Sequence, residues 1–132
     1  MSRVTQMKML VNLARIDGVV TDHERNYVIN IGRANGIYPD EITPLFEQQH
    51  DLNFPKTLSP DERFEYLLSL VQLMKIDERM YKDEIVYCSQ VATKLGYNQQ
   101  IMFDLMLYVK SGTMAPKEIE KLKANVQKHL KI

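Results

Sequence analysis

A lone cysteine, Cys88, has no partner for an internal disulfide, so a small secreted fold stapled by bridges is excluded. Neither sign of charge is in excess: seventeen Lys and Arg balance seventeen Asp and Glu, and the pI is about 6.8. That balance removes the strongly basic face expected of a nucleic-acid-binding protein. No run approaches eighteen apolar residues, and the opening stretch MSRVTQMKML has no apolar signal core. A soluble cytoplasmic protein without an integral membrane segment is the expectation. What is present is ordinary globular material: 45% hydrophobic and 26% charged residues in 132, enough for one domain spanning 1–132 with a real core.

The chain repeats itself. Displaced by sixty residues, Leu10–Ile37 lies over Leu70–Tyr97 with eight identities in twenty-eight positions, among them Leu10/Leu70, Asp17/Asp77, Glu24/Glu84, Tyr27/Tyr87 and Gly36/Gly96. Unrelated segments would share about two. The same offset pairs Val4 with Phe64 and Met7 with Leu67 upstream, and Ile42 with Met102 and Leu45 with Leu105 downstream. Two copies of one unit are expected, at 3–50 and 63–110, followed by a segment at 115–131.

Each copy reads as three helices. Val4, Met7, Leu10, Val11 and Ala14 recur at helical spacing, and Asp17-Gly18 closes that helix because Gly accepts the left-handed conformation. Thr21 and Glu24 have capping-box spacing and start a second helix with Tyr27, Val28, Ile31 and Ala34 on its core face, stopped at Asn35-Gly36. Asp40 is the expected cap of a short third helix carrying Ile42, Leu45 and Phe46. Residues 50–59, with Pro55 among them, form the connecting loop.

In the second copy, Ser59-Pro60-Asp61-Glu62 is a start signal for a helix with Phe64, Leu67, Leu68, Val71 and Met74 on its broad face. The next helix buries Ile85, Cys88, Val91, Ala92 and Leu95 and stops at Gly96; Asn98 is the expected cap of the third. That third helix, with Ile101, Met102, Leu105, Met106, Tyr108 and Val109, is apolar almost all round and is expected at the centre. A last helix with Ala115, Ile119, Leu122, Val126 and Leu130 docks on the two units. Alternating strand patterns are absent. The expected class is all-α with about seven helices.

These residues resemble the TerB-like domain family, which includes the tellurite-resistance protein B and the N-terminal domain of a DnaJ-type membrane co-chaperone. The resemblance rests on a helix ending in Asp17-Gly18, a hydrophobic Val20, Glu24 seven positions after the Asp, and a second copy closing with Lys94-Leu95-Gly96-Tyr97. In the second copy Asp77 and Glu84 match, whereas Glu78 replaces the family's Gly and Tyr81 its capping hydroxyl. The resemblance covers 3–131 and implies seven helices on a duplicated unit, no established enzymatic activity, an association with stress and metal-ion resistance, and roles in scaffolding or divalent-metal binding.

Asp17, Glu24, Asp77 and Glu84 flank the two interhelical loops. Brought together by a pseudo-two-fold axis, four carboxylates would repel one another or recruit a hard cation such as Ca²⁺ or Mg²⁺; Zn²⁺ is a further candidate. The plainer account makes the two Asp loop-capping groups and Glu24 half of a capping box. An EF-hand is excluded, because Val19 and Val20 stand where ligands are needed. His23, His50 and His129 lie far apart, so zinc spacing is absent, and Glu47-x-x-His50 meets Leu107 and Lys110 sixty residues on rather than a second di-iron motif. With no nucleophile elbow or phosphate loop, an enzyme is not expected, and no cofactor is required.

Thr113–Ile132 carries five Lys against two Glu. A basic amphipathic helix can meet a membrane surface, but its stripe has neither Trp nor Phe, so docking on the protein is favoured. Met7, Met74, Met102 and Met106 sit at core spacing, whereas Met9, Met80 and Met114 fall off the stripes. Met80 and Tyr81, in the second acidic loop, are the candidate partner surface, since methionine adapts to varied ligands. The functional expectation is a non-enzymatic interaction or scaffold module with an unidentified protein partner; the alternative is a divalent-cation-binding protein, and an enzyme built from scattered residues comes after that.

Overall fold

Ser59 opens the helix around which the others pack. Its hydroxyl accepts from the Glu62 backbone N–H at 3.1 Å while the Glu62 carboxylate accepts from the Ser59 N–H at 3.0 Å, with Pro60 at the first helical position. The computed structural model describes residues 2–16, 18–76, 82–98, 100–110 and 114–131, without the side chains of Ser2 and Phe103. Among them lie seven α-helices: α1 (Ser2–Ala14), α2 (Asp22–Ala34), α3 (Pro39–Ile42), α4 (Pro60–Met74), α5 (Lys82–Lys94), α6 (Ile101–Tyr108) and α7 (Pro116–Gln127). A 3₁₀ segment, Thr43–Glu47, prolongs α3, and the described residues contain no strand, only an isolated bridge between Tyr97 and Leu130. The protein is all-α. No described helix is long and apolar enough to cross a membrane.

Most of the expected start and stop signals operate, but Asn98 does not cap α6: Gln100 holds the N-cap position, and Asn98 Oδ1 accepts from the Gln100 N–H at 3.1 Å. Thr21 and Glu24 form the reciprocal capping box of α2, at 3.0 and 3.1 Å. Gly36 and Gly96, at φ of 81° and 97°, follow α2 and α5, where a left-handed residue lets the next amide turn back onto the helix. The Ile37 N–H reaches the Gly32 carbonyl at 2.8 Å and the Tyr97 N–H the Ala92 carbonyl at 3.0 Å.

Four further expectations are corrected. The central helix is α4, not α6. Phe64, Tyr66, Leu67, Leu70, Val71, Leu73 and Met74 are all buried as α4 packs on α1, α2, α5, α6 and α7, whereas Leu107 and Tyr108 at the end of α6 are 74% and 57% exposed. Burying aliphatic side chains stabilises by about 1.5–3 kcal/mol each, so the fifteen-residue α4, with a broad apolar face opposite Asp61, Glu65 and Gln72, gains most from the middle position. Asp40 does not cap α3: Tyr38 holds the N-cap position and Pro39 is the first helical residue. Met9 and Met114 are buried, Met9 because α1 is covered on several sides by α2, α4 and α5. The buried row of α2 is Glu24, Val28 and Gly32, one step round from the expected one, which leaves Ala34 exposed and Tyr27 and Ile31 half-buried.

The C-terminus docks as expected in part. Leu122 and Val126 of α7 are buried, Ile119 and Leu130 half-buried, and Ala115 exposed. The chain is then fastened by the Asn98 N–H on the His129 carbonyl at 2.9 Å and the Lys131 N–H on the Gly96 carbonyl at 2.6 Å.

Candidate functional site

Of the four expected carboxylates, the described structure places two. Glu24 and Glu84 are each the third residue of their helix, α2 and α5, and both are buried, at 4% and 7% exposure. Glu24 is engaged as the α2 cap. Asp17 and Asp77, and the candidate partner residues Met80 and Tyr81, lie outside the described residues. Among the described residues no group of three His, Cys, Asp or Glu side chains is gathered as a metal would need. Cys88 is buried with its Sγ 3.7 Å from Met74 Sδ, and burial pushes its thiol well above the usual range, the chemistry of a core residue rather than a nucleophile.

Two tyrosines tie one half of the chain to the other, and two amide side chains make equivalent bonds, one within each half. The Tyr27 hydroxyl donates across to the Ser69 carbonyl and to Gln72 Oε1, both at 3.1 Å, and the Tyr87 hydroxyl donates to the Met9 carbonyl at 2.8 Å. Tyr87 follows Tyr27 by sixty residues and Ser69 follows Met9 by the same interval. Burial raises the pKa of both phenols, so each stays a donor at any ordinary pH. Asn12 Nδ2 donates to the His50 carbonyl at 2.7 Å; Gln72 Nε2 donates to the Lys110 carbonyl at 3.2 Å, again with both partners sixty residues on. Tyr27→Phe and Tyr87→Phe should each lower stability by about 1 kcal/mol, the usual net value of one such hydrogen bond. Urea denaturation measures this, and one neutral variant beside one costly variant would mean the two bonds are not equivalent.

An open groove lies where α5 and α6 diverge. It has a volume near 890 Å³, with Ile85, Val86, Ser89 and Thr93 along one side, Met102 and Met106 along the other, and Gln90, Lys94 and Gln100 completing it. Val86 is 44% exposed although it is β-branched and apolar. Thr93 and Gln100 also line an adjoining recess of about 650 Å³, closed by Gly96, Tyr97, Asn98 and Lys131. Lys75 fixes the far end of α6: its ammonium donates to the Met106 and Val109 carbonyls, and desolvation lowers its pKa.

Sequence periodicity missed this groove. It counted Met102 and Met106 as core filler; Met102 is indeed buried, but Met106 is only half-buried, and both line the groove. The signal that could have found it is Val86, an apolar residue outside the buried row of α5. Comparisons with protein-family models, curated proteins and solved structures returned no match.

Proposed function

We propose that the chain is a non-enzymatic interaction module of the TerB-like type, built on a duplicated helical unit and engaging a protein partner through the α5–α6 face. The groove carries the reading: an open trough with Val86, Met102 and Met106 in its lining keeps apolar surface available to a partner. Duplication is supported by bonds that exchange between the units under the sixty-residue interval, Tyr27 to Ser69 against Tyr87 to Met9, and by one that recurs within each unit, Asn12 to His50 and Gln72 to Lys110. It is supported further by α2 and α5, whose bounds differ by sixty at both ends. Two units each donating to the other in the same way is the pattern of a pseudo-two-fold relation. Met80 and Tyr81, the partner residues expected from the sequence, immediately precede α5 in the chain.

A photo-crosslinking residue at position 86 tests the proposal. It should trap a protein in cells with or without chelator, whereas the same residue at Tyr38, which is exposed and outside the groove lining, should not. Equal trapping at both positions, or none at 86, would refute it. The cation reading is favoured by one observation, the burial of Glu24 and Glu84 at matching helix positions. It requires a rise in melting temperature with Ca²⁺, Mg²⁺ or Zn²⁺ that Asp17→Ala and Asp77→Ala both abolish, because a ligand of the native state must stabilise it.

A further inference from the structure

At the positions sixty residues before the groove lining, the first half of the chain is packed differently. Gly32 lets the Ile42 side chain press against bare backbone: a Cβ at position 32 would stand 2.1 Å from Ile42 Cδ1. Beside it the Arg25 guanidinium lies over the Phe46 ring, 4.6 Å from its centroid, and covers it. Sixty residues on, Gly32 becomes Ala92, Ile42 becomes Met102, Phe46 becomes Met106 and Arg25 becomes Ile85. A methyl group replaces the bare backbone, unbranched thioethers replace the space-filling side chains, and the covering cation is gone. The second half thus lacks the Ile42 and Arg25 contacts that fill this position in the first.

The charge of the groove is one-sided. Its charged lining residue is Lys94, and that of the adjoining recess is Lys131; neither is in an ion pair among the described residues. Asp104, the carboxylate on α6, faces His129 Nε2 at 3.4 Å and is not in the lining. From Ile85 to Lys94 the α5 wall runs about 13 Å at 1.5 Å per residue, the length of two to three turns of a helix. The trough is open to solvent along this length. A single acyl chain lying there would keep one side in water, whereas an amphipathic helix would place its polar face there.

We infer that the α5–α6 groove receives an amphipathic helix of a protein partner, apolar residues down and carboxylates at the end that meets Lys94 and Lys131. The inference rests on the interaction-module reading and names the partner's chemistry. The probe is a fluorescent peptide helix of about four turns, with leucines on one face and two glutamates in its first turn, followed by anisotropy. Wild-type chain should bind it saturably. Val86→Glu and Lys94→Glu, both at exposed positions and checked for unchanged melting, should each weaken binding about tenfold. Leu107→Glu, exposed on α6 but outside the lining, should not. A peptide with lysines in place of the glutamates should prefer the Lys94→Glu variant to wild type.

Equal affinity of wild type and Val86→Glu, or no saturation, overturns the inference. So does binding of monomeric oleate without binding of the peptide, which would assign the groove to an acyl anion. A protein crosslink from position 86 together with no peptide binding removes the acidic helix alone and leaves the interaction module standing.

Discussion

Arg63→Met should lower the melting temperature by about 10 °C, corresponding to roughly 3 kcal/mol in a domain of this size. Arg63 is buried, and its guanidinium donates to carbonyls alone: Leu58 at 2.9 Å, Leu95 at 2.6 Å and Lys56 at 3.1 Å. These oxygens belong to the loop entering α4 and to the end of α5, so one planar fork joins elements more than thirty residues apart. Methionine fills the aliphatic volume but leaves acceptors at a buried site without donors, and the loss of such a partner costs more than a hydrogen bond contributes. Arg63→Lys should recover only part of the loss, since a single ammonium cannot span three acceptors in this geometry. With no carboxylate paired to Arg63 in the described structure, the effect should persist at high salt. Thermal melts with and without added salt measure both; a variant melting within 2 °C of wild type, on the order of half a kcal/mol, would show that the fork is dispensable.

Gly32→Leu should destabilise by about 3 kcal/mol, at the upper end of overpacking costs, although glycine is a poor helix former. The reason is the Ile42 side chain, which would have to vacate the space beside position 32, and Met7 Sδ, 3.2 Å from a Cβ there. Both neighbours are fully buried and have no open direction in which to move. Adding Ile42→Ala should restore most of the lost stability, because four carbons gained at one position are then offset by three removed at the other, and contacting residues couple. Denaturant midpoints of the single and double variants decide this. If Ile42→Ala simply adds its own cost to that of Gly32→Leu, the two side chains do not compete for one space.

Much of the helical layout could be read directly. Thr21 with Glu24, Ser59 with Glu62, and the glycines at 36 and 96 act on the nearest turn of backbone, so their sequence spacing is their geometry. The stripe of α1 reads only in part: Met7, Leu10, Val11 and Ala14 are buried, but Val4 is exposed and Gln6, Met9, Asn12 and Leu13 are buried besides. Assigning the centre to α6 failed because composition reports how apolar a helix is, not how many neighbours cover it; α6 is eight residues long and its end, Leu107 and Tyr108, protrudes. The α2 face was misplaced by one step because Glu24 and Gly32, a charged residue and one without a side chain, carry no hydrophobic signal and yet are buried. Arg63 gave no sign of its role either, since its carbonyl partners are contributed by backbone and have no residue identity to detect.

The sequence alone determined where several helices are capped, that helices are the sole regular element expected, and that residues sixty apart deserve comparison; these are consequences of local capping, 3.6-residue periodicity and self-similarity. Tertiary structure decided which helix is enclosed, that Tyr27 and Tyr87 reach reciprocally across the halves, and that a trough opens beside α5. The physical reason is that such features depend on the separation of packed backbones. The methyl group distinguishing Ala92 from Gly32 is trivial in composition, but beside Ile42 in a close-packed core a single methyl group has no room.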